Sequence, residues 1–335
     1  RSASAARPET GGEGSRVLLT AVGSASAACA LESLRAQGWR VIGCDIYPQA
    51  WNDVSCRVDA FFQAPRAADD AEAYGQWLAS VVRREGVQAV MPLTDPEVDA
   101  LCGQRERFAA LGCALVMPPD AAARLCRDKL AMARRLEACG ACQVIPTFEA
   151  QAYQPTAYPV LLKPRSGRSS QRQTLARTPE AYRAALSQNE DLIAQPYVEG
   201  GLFTVDVARD AQGNVQALAR QEYLRTTNGL GVTVRTFPGH ALEAVCARIA
   251  ACAGIVGVVN MEFIARGGVY WFLEVNPRLS GGVGFSAAAG VDFPALAMEC
   301  ALGRPLPAPS PARALTMTRR VQPVVTQIHS HDCNE

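Results

Sequence analysis

Residues 260–282 read NMEFIARGGVYWFLEVNPRLSGG. Two short apolar runs, NMEFIA and VYWFLEVN, flank Arg266-Gly267-Gly268. Apolar β-formers on both sides of a glycine-containing turn predict a β-hairpin, with a three-residue turn that pairs Ala265 with Val269. In that register Glu262 lies opposite Phe272, and Asn260 opposite Glu274. Alternation along the strands then places Asn260, Glu262, Phe272, Glu274 and Asn276 on one face. Glu262 and Glu274 become diagonal neighbours, with Cβ atoms roughly 7 Å apart or a little less. Two carboxylates on apolar strands are costly to bury unless paired or coordinated. An oxygen-only set of Glu262, Glu274 and Asn276 suits Mg2+ (or Mn2+) rather than zinc. The alternative is a solvent-facing polar stripe on an edge hairpin. Arg278 just past the carboxylates is placed for an anion bridging the metals. The Ser280-Gly281-Gly282 run lets backbone amides approach that anion.

The pattern of Glu262 followed by Glu274-Val275-Asn276-Pro277-Arg278 resembles the metal-and-phosphate hairpin of the ATP-grasp enzymes. The form NPRLSGG is most similar to the branch that holds the carbamoyl-phosphate synthetase large subunit and its small relatives that join amino acids. Under that resemblance Glu262, Glu274 and Asn276 hold magnesium, and Arg278 stabilises the transferring phosphoryl group. The amides of Ser280, Gly281 and Gly282 orient the substrate.

Upstream of the hairpin, the resemblance covers roughly residues 16 to 305. Residues 1–15 are small, polar and glycine-rich, and are expected to be a disordered tail. An apolar run at 17–22, the loop Gly23-Ser24-Ala25-Ser26, a helix and a strand ending at Asp45 form a β-loop-α-β unit without G-x-G-x-x-G, so a nicotinamide site is disfavoured. The Gly23-Ser24 amides are a possible carboxylate seat. A helix near 70–85, the strand Ala89–Leu93 and the strand 114–117 complete a parallel sheet. In Thr94-Asp95-Pro96-Glu97, Thr94 or Asp95 caps a helix; the resemblance adds a substrate role for Asp95 or Glu97. These residues form the pre-ATP-grasp domain, 16–118, ended by Pro118-Pro119.

The ATP-grasp domain is expected over 119–305, with a first lobe and hinge to 200 and a second lobe from 201. Lys129 opens a helix capped by Asp128, and a lysine there is unfavourable to the helix dipole unless an anion is near. Lys163 ends the strand beginning at Tyr158, and the loop Arg165–Gln171 can wrap phosphates. By resemblance, Lys129 and Lys163 are the two nucleotide lysines, and the loop with Ser169 is the flap, though Gly167 is its single glycine. Residues 191–200 resemble the hinge, where backbone near Gln195, the Val198 amide and Glu199 meet adenine. Arg220 and Arg225 either clamp a substrate carboxylate or γ-phosphate or lie on the surface. A helix is expected over 239–253, another from Ser286 to Leu302, and an apolar strand over 314–325 within a C-terminal extension, 306–335. His329 and His331 sit in that loose tail and are taken as solvated.

Composition limits what else the chain does. With 335 residues and 49% hydrophobic content it can bury a large core, and a net charge of +1 argues against nucleic-acid or anionic-membrane surfaces. No apolar run approaches a membrane span. The 12 cysteines are expected to be buried thiols in a reducing cytoplasm, and Cys139-Gly-Ala-Cys142 straddles a helix C-cap rather than a metal or redox site. The fold class expected is α/β: a parallel-sheet domain, then a two-lobed domain with mixed and antiparallel sheets. The expected activity is an ATP-dependent carboxylate–amine ligase working through an acyl phosphate, with small-molecule carboxylate and amine substrates. A homodimer is left open. The alternatives are a bicarbonate- or carbamate-phosphorylating enzyme, disfavoured by the single ATP-grasp unit, and a non-catalytic nucleotide-binding module, disfavoured by the intact acid pair.

Overall fold

The computed structural model describes residues 14–167, 173–187 and 191–329. Ser169 and His331 lie outside them. The chain divides into two compact units, one formed by the described residues up to Val116 together with those from Arg319 onward, the other by Met117–Thr318.

The first unit is built on a five-stranded, all-parallel sheet. Its central strands, Arg16–Leu19, Arg40–Asp45 and Ala89–Met91, are buried almost throughout, as strands covered on both faces must be. Helix Ala71–Glu85 begins at Asp70, whose carboxylate accepts the Ala73 amide, and ends at Gly86, whose φ of 61° gives the left-handed stop. Helix Asp95–Leu101 is capped by Thr94 in a reciprocal capping box with Glu97.

The second unit carries two sheets. A four-stranded antiparallel sheet runs in the order Phe148–Glu149, Leu192–Pro196, Val160–Pro164, Thr174–Ala176. A seven-stranded mixed sheet runs Thr316–Thr318, Gly231–Phe237, Val215–Arg225, Gly201–Arg209, Gly257–Arg266, Val269–Asn276, Gln143–Val144. The predicted hairpin is therefore interior: Gln143–Val144 pairs in parallel beyond it, which removes the reading of an edge stripe.

Alternation sorts the long strands into two faces. Phe203, Val205, Val207, Met261 and Phe263 join Leu242, Cys246 and Ile249 of helix Ala241–Cys252 in one core. The even-numbered residues Thr204, Asp206, Asn260 and Glu262 face the other way, where Asp206 meets Ser286 of helix Val283–Ala288. Helix Phe293–Ala301 packs against the same two strands.

The hairpin differs from the expected register. Arg266 pairs with Val269 and Ala265 with Tyr270, so the turn has two residues, Gly267 and Gly268, at φ 58° and 78°. Positive φ at both positions matches the twist of a two-residue hairpin loop and requires glycine or a close substitute. The ladder then shifts between Glu262 and Phe263. The extra residue, Leu273, turns Phe272 into the core together with Val275, so Phe272 does not share the acidic face. Glu262 and Glu274 consequently stand directly opposite each other, not diagonally.

Three further expectations change. The predicted helix 286–302 is two helices, Val283–Ala288 and Phe293–Ala301, broken at Gly290 (φ 108°) and restarted by the Asp292 cap. The strand expected over 314–325 is only Thr316–Thr318, and Val321, Val324 and Val325 are exposed. Cys139 is not a thiol: it is bonded to Cys252, joining the C-terminal ends of helices Lys129–Cys139 and Ala241–Cys252. Spacing to Cys142 gave no hint of a partner 113 residues away.

Candidate active site

The polar face of the seven-stranded sheet presents a row of residues in register: Glu274, Glu262, Thr204 and Arg220. Asn276 stands opposite Asn260 in the next row. Directly opposed strand residues have Cβ atoms about 4.5–5.5 Å apart, a tighter pair than the sequence register gave. Burial, then the neighbouring Glu274 charge, pushes the Glu262 carboxyl up to about 7. Such a pair repels itself, and a divalent cation with oxygen ligands relieves that repulsion. Glu262, Glu274 and the Asn276 amide oxygen thus fit magnesium. Among the described residues there is no group of three or more His, Cys, Asp or Glu side chains that could hold a metal ion.

Two lysines converge on these acids. Lys163, on strand Val160–Pro164, is 2% exposed. Desolvation lowers its ammonium to about 8, against the opposing pull of Glu274, while Lys129 adds to the lowering and Glu262 resists it. Lys129 Nζ is 3.8 Å from Glu274 Oε2 and donates to the Gly167 carbonyl at 3.2 Å. A fully buried lysine among two acids and a second lysine is a charge arrangement, not a packing choice.

The position of Lys129 follows from local structure. Asp128 caps helix Lys129–Cys139 by accepting the Ala131 amide at 2.9 Å. The same carboxylate takes Arg165 Nε at 2.9 Å and Nη2 at 2.6 Å, a two-pronged bond, and the Lys129 amide donates to the Arg165 carbonyl. The root of the predicted flap, Arg165–Gly167, is thereby tied to the helix start. Asp128 as an anchor for Arg165 was not read from the sequence. The cap was visible, but its second partner depends on the fold.

Arg225 Nη2 lies 3.6 Å from Glu262 Oε2, and its Nε 2.8 Å from Glu222 Oε2. It is on the acidic face and partly exposed. Arg220 is neither a surface residue nor open to a ligand: its side chain is 1% exposed and ion-paired to Asp206 at 2.6 Å. Asp206 was missed by the sequence reading. Its signal was a charge at an alternating position of an otherwise apolar strand, pairable with Arg220 once the turn at 210–214 fixes the register. Arg278 is half-buried, its backbone amide donates to the Asn276 carbonyl, and its Nη1 donates to the Leu279 carbonyl at 3.1 Å. Ser280 is buried, and Gly281-Gly282 lead into helix Val283–Ala288.

Of the predicted hinge residues, Gln195 lies in the other sheet of this unit. Gln195, on strand Leu192–Pro196, is 4% exposed; its Nε2 donates to Thr147 Oγ1 at 2.8 Å, and its Oε1 has no hydrogen-bond partner among the described residues. Val198 is half-buried and Glu199 exposed, both in irregular backbone.

Asp95 and Glu97 belong to the first unit and are described there alone. Both are buried. Glu97 accepts from Thr20 Oγ1 at 2.8 Å, Thr94 Oγ1 at 2.9 Å and the Thr94 amide at 3.2 Å, with Tyr74 OH at 3.4 Å. Desolvation nonetheless raises its carboxyl to about 7. Gly23 donates its amide to Asp45 Oδ2 at 2.8 Å, so that loop is held by an internal acid.

Residues 17–116 match the model of the PylC-like N-terminal domain, and residues 188–324 match "ATP-grasp in the biosynthetic pathway with Ter operon". The carbamoyl phosphate synthase large chain of Myxococcus xanthus (strain DK1622) is 28% identical over 240 residues, covering 65% of this chain. The chain spans only 20% of that relative's length. Biotin carboxylase from Campylobacter jejuni superposes with a TM-score of 0.70 at 19% identity, covering 87% of this chain and 72% of that one. An L-amino acid ligase from Bacillus licheniformis superposes with a TM-score of 0.69 at 17% identity, covering 87% and 75%. No helix among the described residues is long and apolar enough to cross a membrane. The family matches thus give an ATP-grasp domain over residues 188–324 and a PylC-like N-terminal domain over residues 17–116, on a chain built of one parallel-sheet unit and one two-sheet unit.

Proposed function

We propose that this chain is an ATP-dependent carboxylate–amine ligase that forms an amide through an acyl phosphate and releases ADP and phosphate. The observation that carries the reading is the direct opposition of Glu262 and Glu274 beside the buried Lys163, with Asn276 on the same face. Magnesium bound there would neutralise phosphate charge during transfer. Lys129 and Lys163 hold nucleotide phosphates as point charges. The Arg165–Gly167 segment, tied to Asp128, stands beside Lys129, whose Nζ donates to the Gly167 carbonyl. Backbone near Gln195, the Val198 amide and Glu199 take the adenine side. Arg278 faces the oxygen that becomes anionic on phosphoryl transfer, and the Ser280–Gly282 amides orient the acyl group. Arg225, partly exposed and paired with Glu222 and Glu262, is the cation proposed to meet a substrate carboxylate. The work of such a site is positioning and charge neutralisation.

The chemistry favours a carboxylate nucleophile, because an acyl phosphate is the species a guanidinium and a row of amides can hold after transfer. The likeness in fold to the L-amino acid ligase from Bacillus licheniformis supports an amino-acid carboxylate. A second reading, phosphorylation of bicarbonate, is favoured by the similarity to a carbamoyl phosphate synthase large chain. A role for Asp95 or Glu97 in holding substrate belongs to the same proposal, as do dimerisation and a cytoplasmic location.

ADP release measured with pooled amino acids, with bicarbonate and with neither separates these readings. For a productive pair, ¹⁸O in the carboxylate is traced into inorganic phosphate. ADP with labelled phosphate is the expected result; AMP, or unlabelled phosphate, overturns the acyl-phosphate route.

A further inference from the structure

Arg220 lies in the same row as the acids, with Thr204 between it and Glu262. Its Nη1 donates to Asp206 Oδ2 at 2.6 Å and to Ser286 Oγ at 3.4 Å, and its Nη2 donates to Ser280 Oγ at 3.0 Å. Asp206 in turn accepts from Ser286 Oγ at 2.7 Å and from Asn260 Nδ2 at 3.0 Å. Its three hydrogen-bond partners stand on different elements, strand Gly201–Arg209, helix Val283–Ala288 and the segment after Arg278, and Glu222 of its own strand lies 3.7 Å from its Nε. A Cβ added at Gly282 would fall 2.8 Å from Arg220 Nη2 and 3.0 Å from its Cζ and Nε. The guanidinium is held by Asp206, Ser286 and Ser280, so a side chain at Gly282 would have to displace it, and the close approach of the Gly282 backbone is part of the same arrangement.

We propose that Arg220 is a positioning residue: paired with Asp206, it fixes the Ser280–Gly282 segment that directly follows Arg278, and it touches no substrate itself. A guanidinium offers donors in a rigid fork, one prong for Asp206 and the other for Ser280; the single ammonium of lysine cannot serve both in that geometry. The segment is thereby set against the strand that carries Glu262, because Asn260 on that strand shares Asp206. The polar donors aimed at an anionic substrate group are then held before it arrives, which is what makes such donors effective. This assignment rests on the ligase reading only for its kinetic consequence.

The test uses the full chain with Arg220→Lys, Ser280→Ala and Gly282→Ala. Hydrogen–deuterium exchange at the Gly281 and Gly282 amides reads the order of the segment, calorimetry with MgADP reads the nucleotide site, and ADP release reads turnover. Exchange at those amides should be at least about tenfold faster in all three variants, with MgADP affinity within about twofold of wild type. Turnover should fall roughly 10²-fold with the KM for ATP unmoved, since misplacement alone produces such losses. Ser280→Ala leaves the buried charge pair intact, so it decides the matter even where Arg220→Lys does not fold. Unchanged exchange in Ser280→Ala overturns the proposal. A loss of MgADP affinity matching the loss of turnover also overturns it, because Arg220 would then serve the nucleotide site. A wild-type chain that releases no ADP with any substrate refutes the ligase reading, while the exchange measurement still decides the role of Arg220.

Discussion

Replacing Lys163 with methionine should make the protein more stable and less able to bind nucleotide. The ammonium is 2% exposed, and its burial brings it from 10.5 to about 8 even with Glu274 and Glu262 pulling the other way. That gap corresponds to roughly 3 kcal/mol by which folding disfavours the charged form relative to the unfolded chain. Methionine keeps the length and apolar stem without the charge, so at pH 7 Lys163→Met should gain about 1–3 kcal/mol, the lower end reflecting relaxation and water entry. The pH dependence has a definite sign. The folded lysine loses its proton near pH 8, the unfolded one near 10.5, so the unfolded state holds more protons in between. Wild-type stability therefore rises with pH through that window, and the variant lacks this rise. Losing a charge-assisted phosphate contact worth about 1.5–3 kcal/mol should weaken MgADP binding roughly 10- to 100-fold, and leave adenosine nearly unaffected. Urea denaturation at pH 7 and 9.5, with calorimetry for both ligands, supplies the measurements. A variant less stable at pH 7, or one that loses ADP and adenosine affinity equally, refutes the placement of a costly charge for phosphate.

Glu274→Gln should abolish ATP turnover with near-wild-type melting, because it removes a charged oxygen opposite Glu262; activity within about tenfold of wild type, some 1.4 kcal/mol, would contradict the metal assignment. Glu97 supplies a pH effect of opposite sign to Lys163: its folded carboxyl keeps a proton up to about 7 against an ordinary 4.5, so the folded state holds more protons in between. Stability should fall by roughly 3 kcal/mol as pH rises from 4.5 to 7, and Glu97→Gln should flatten that slope, read by denaturant titration across the range.

Local chemistry alone carried much of this protein. The alternation of apolar residues around Arg266-Gly267-Gly268 is sufficient for a hairpin, and a cap at Asp128 is sufficient to start the helix at Lys129. Glu262, Glu274 and Lys129 stand out because charge on apolar strands, or at an unfavourable helix end, needs a partner that the neighbouring residues do not supply, with Asn276 sharing the face of the acids; Lys163 is picked out by the resemblance of its strand and loop to those of ATP-grasp enzymes. Those signals depend on residues a few positions apart, and a strand's period of two survives in the sequence.

What the sequence left open depends on the packing of distant segments. The register of the hairpin could not be counted from its turn, because Leu273 is extruded so that Phe272 and Val275 can both reach the core. That packing, together with the two-residue turn, brings Glu262 opposite Glu274. The tie from Asp128 to Arg165 and the bond from Cys139 to Cys252 join residues 37 and 113 positions apart, and no local pattern encodes them. Arg220 makes the point most plainly: an arginine on a strand reads equally as a surface charge or a substrate clamp. Only the assembled sheet and the helix behind it, by closing Asp206, Ser280 and Ser286 around the guanidinium, remove it from solvent and make it part of the scaffold.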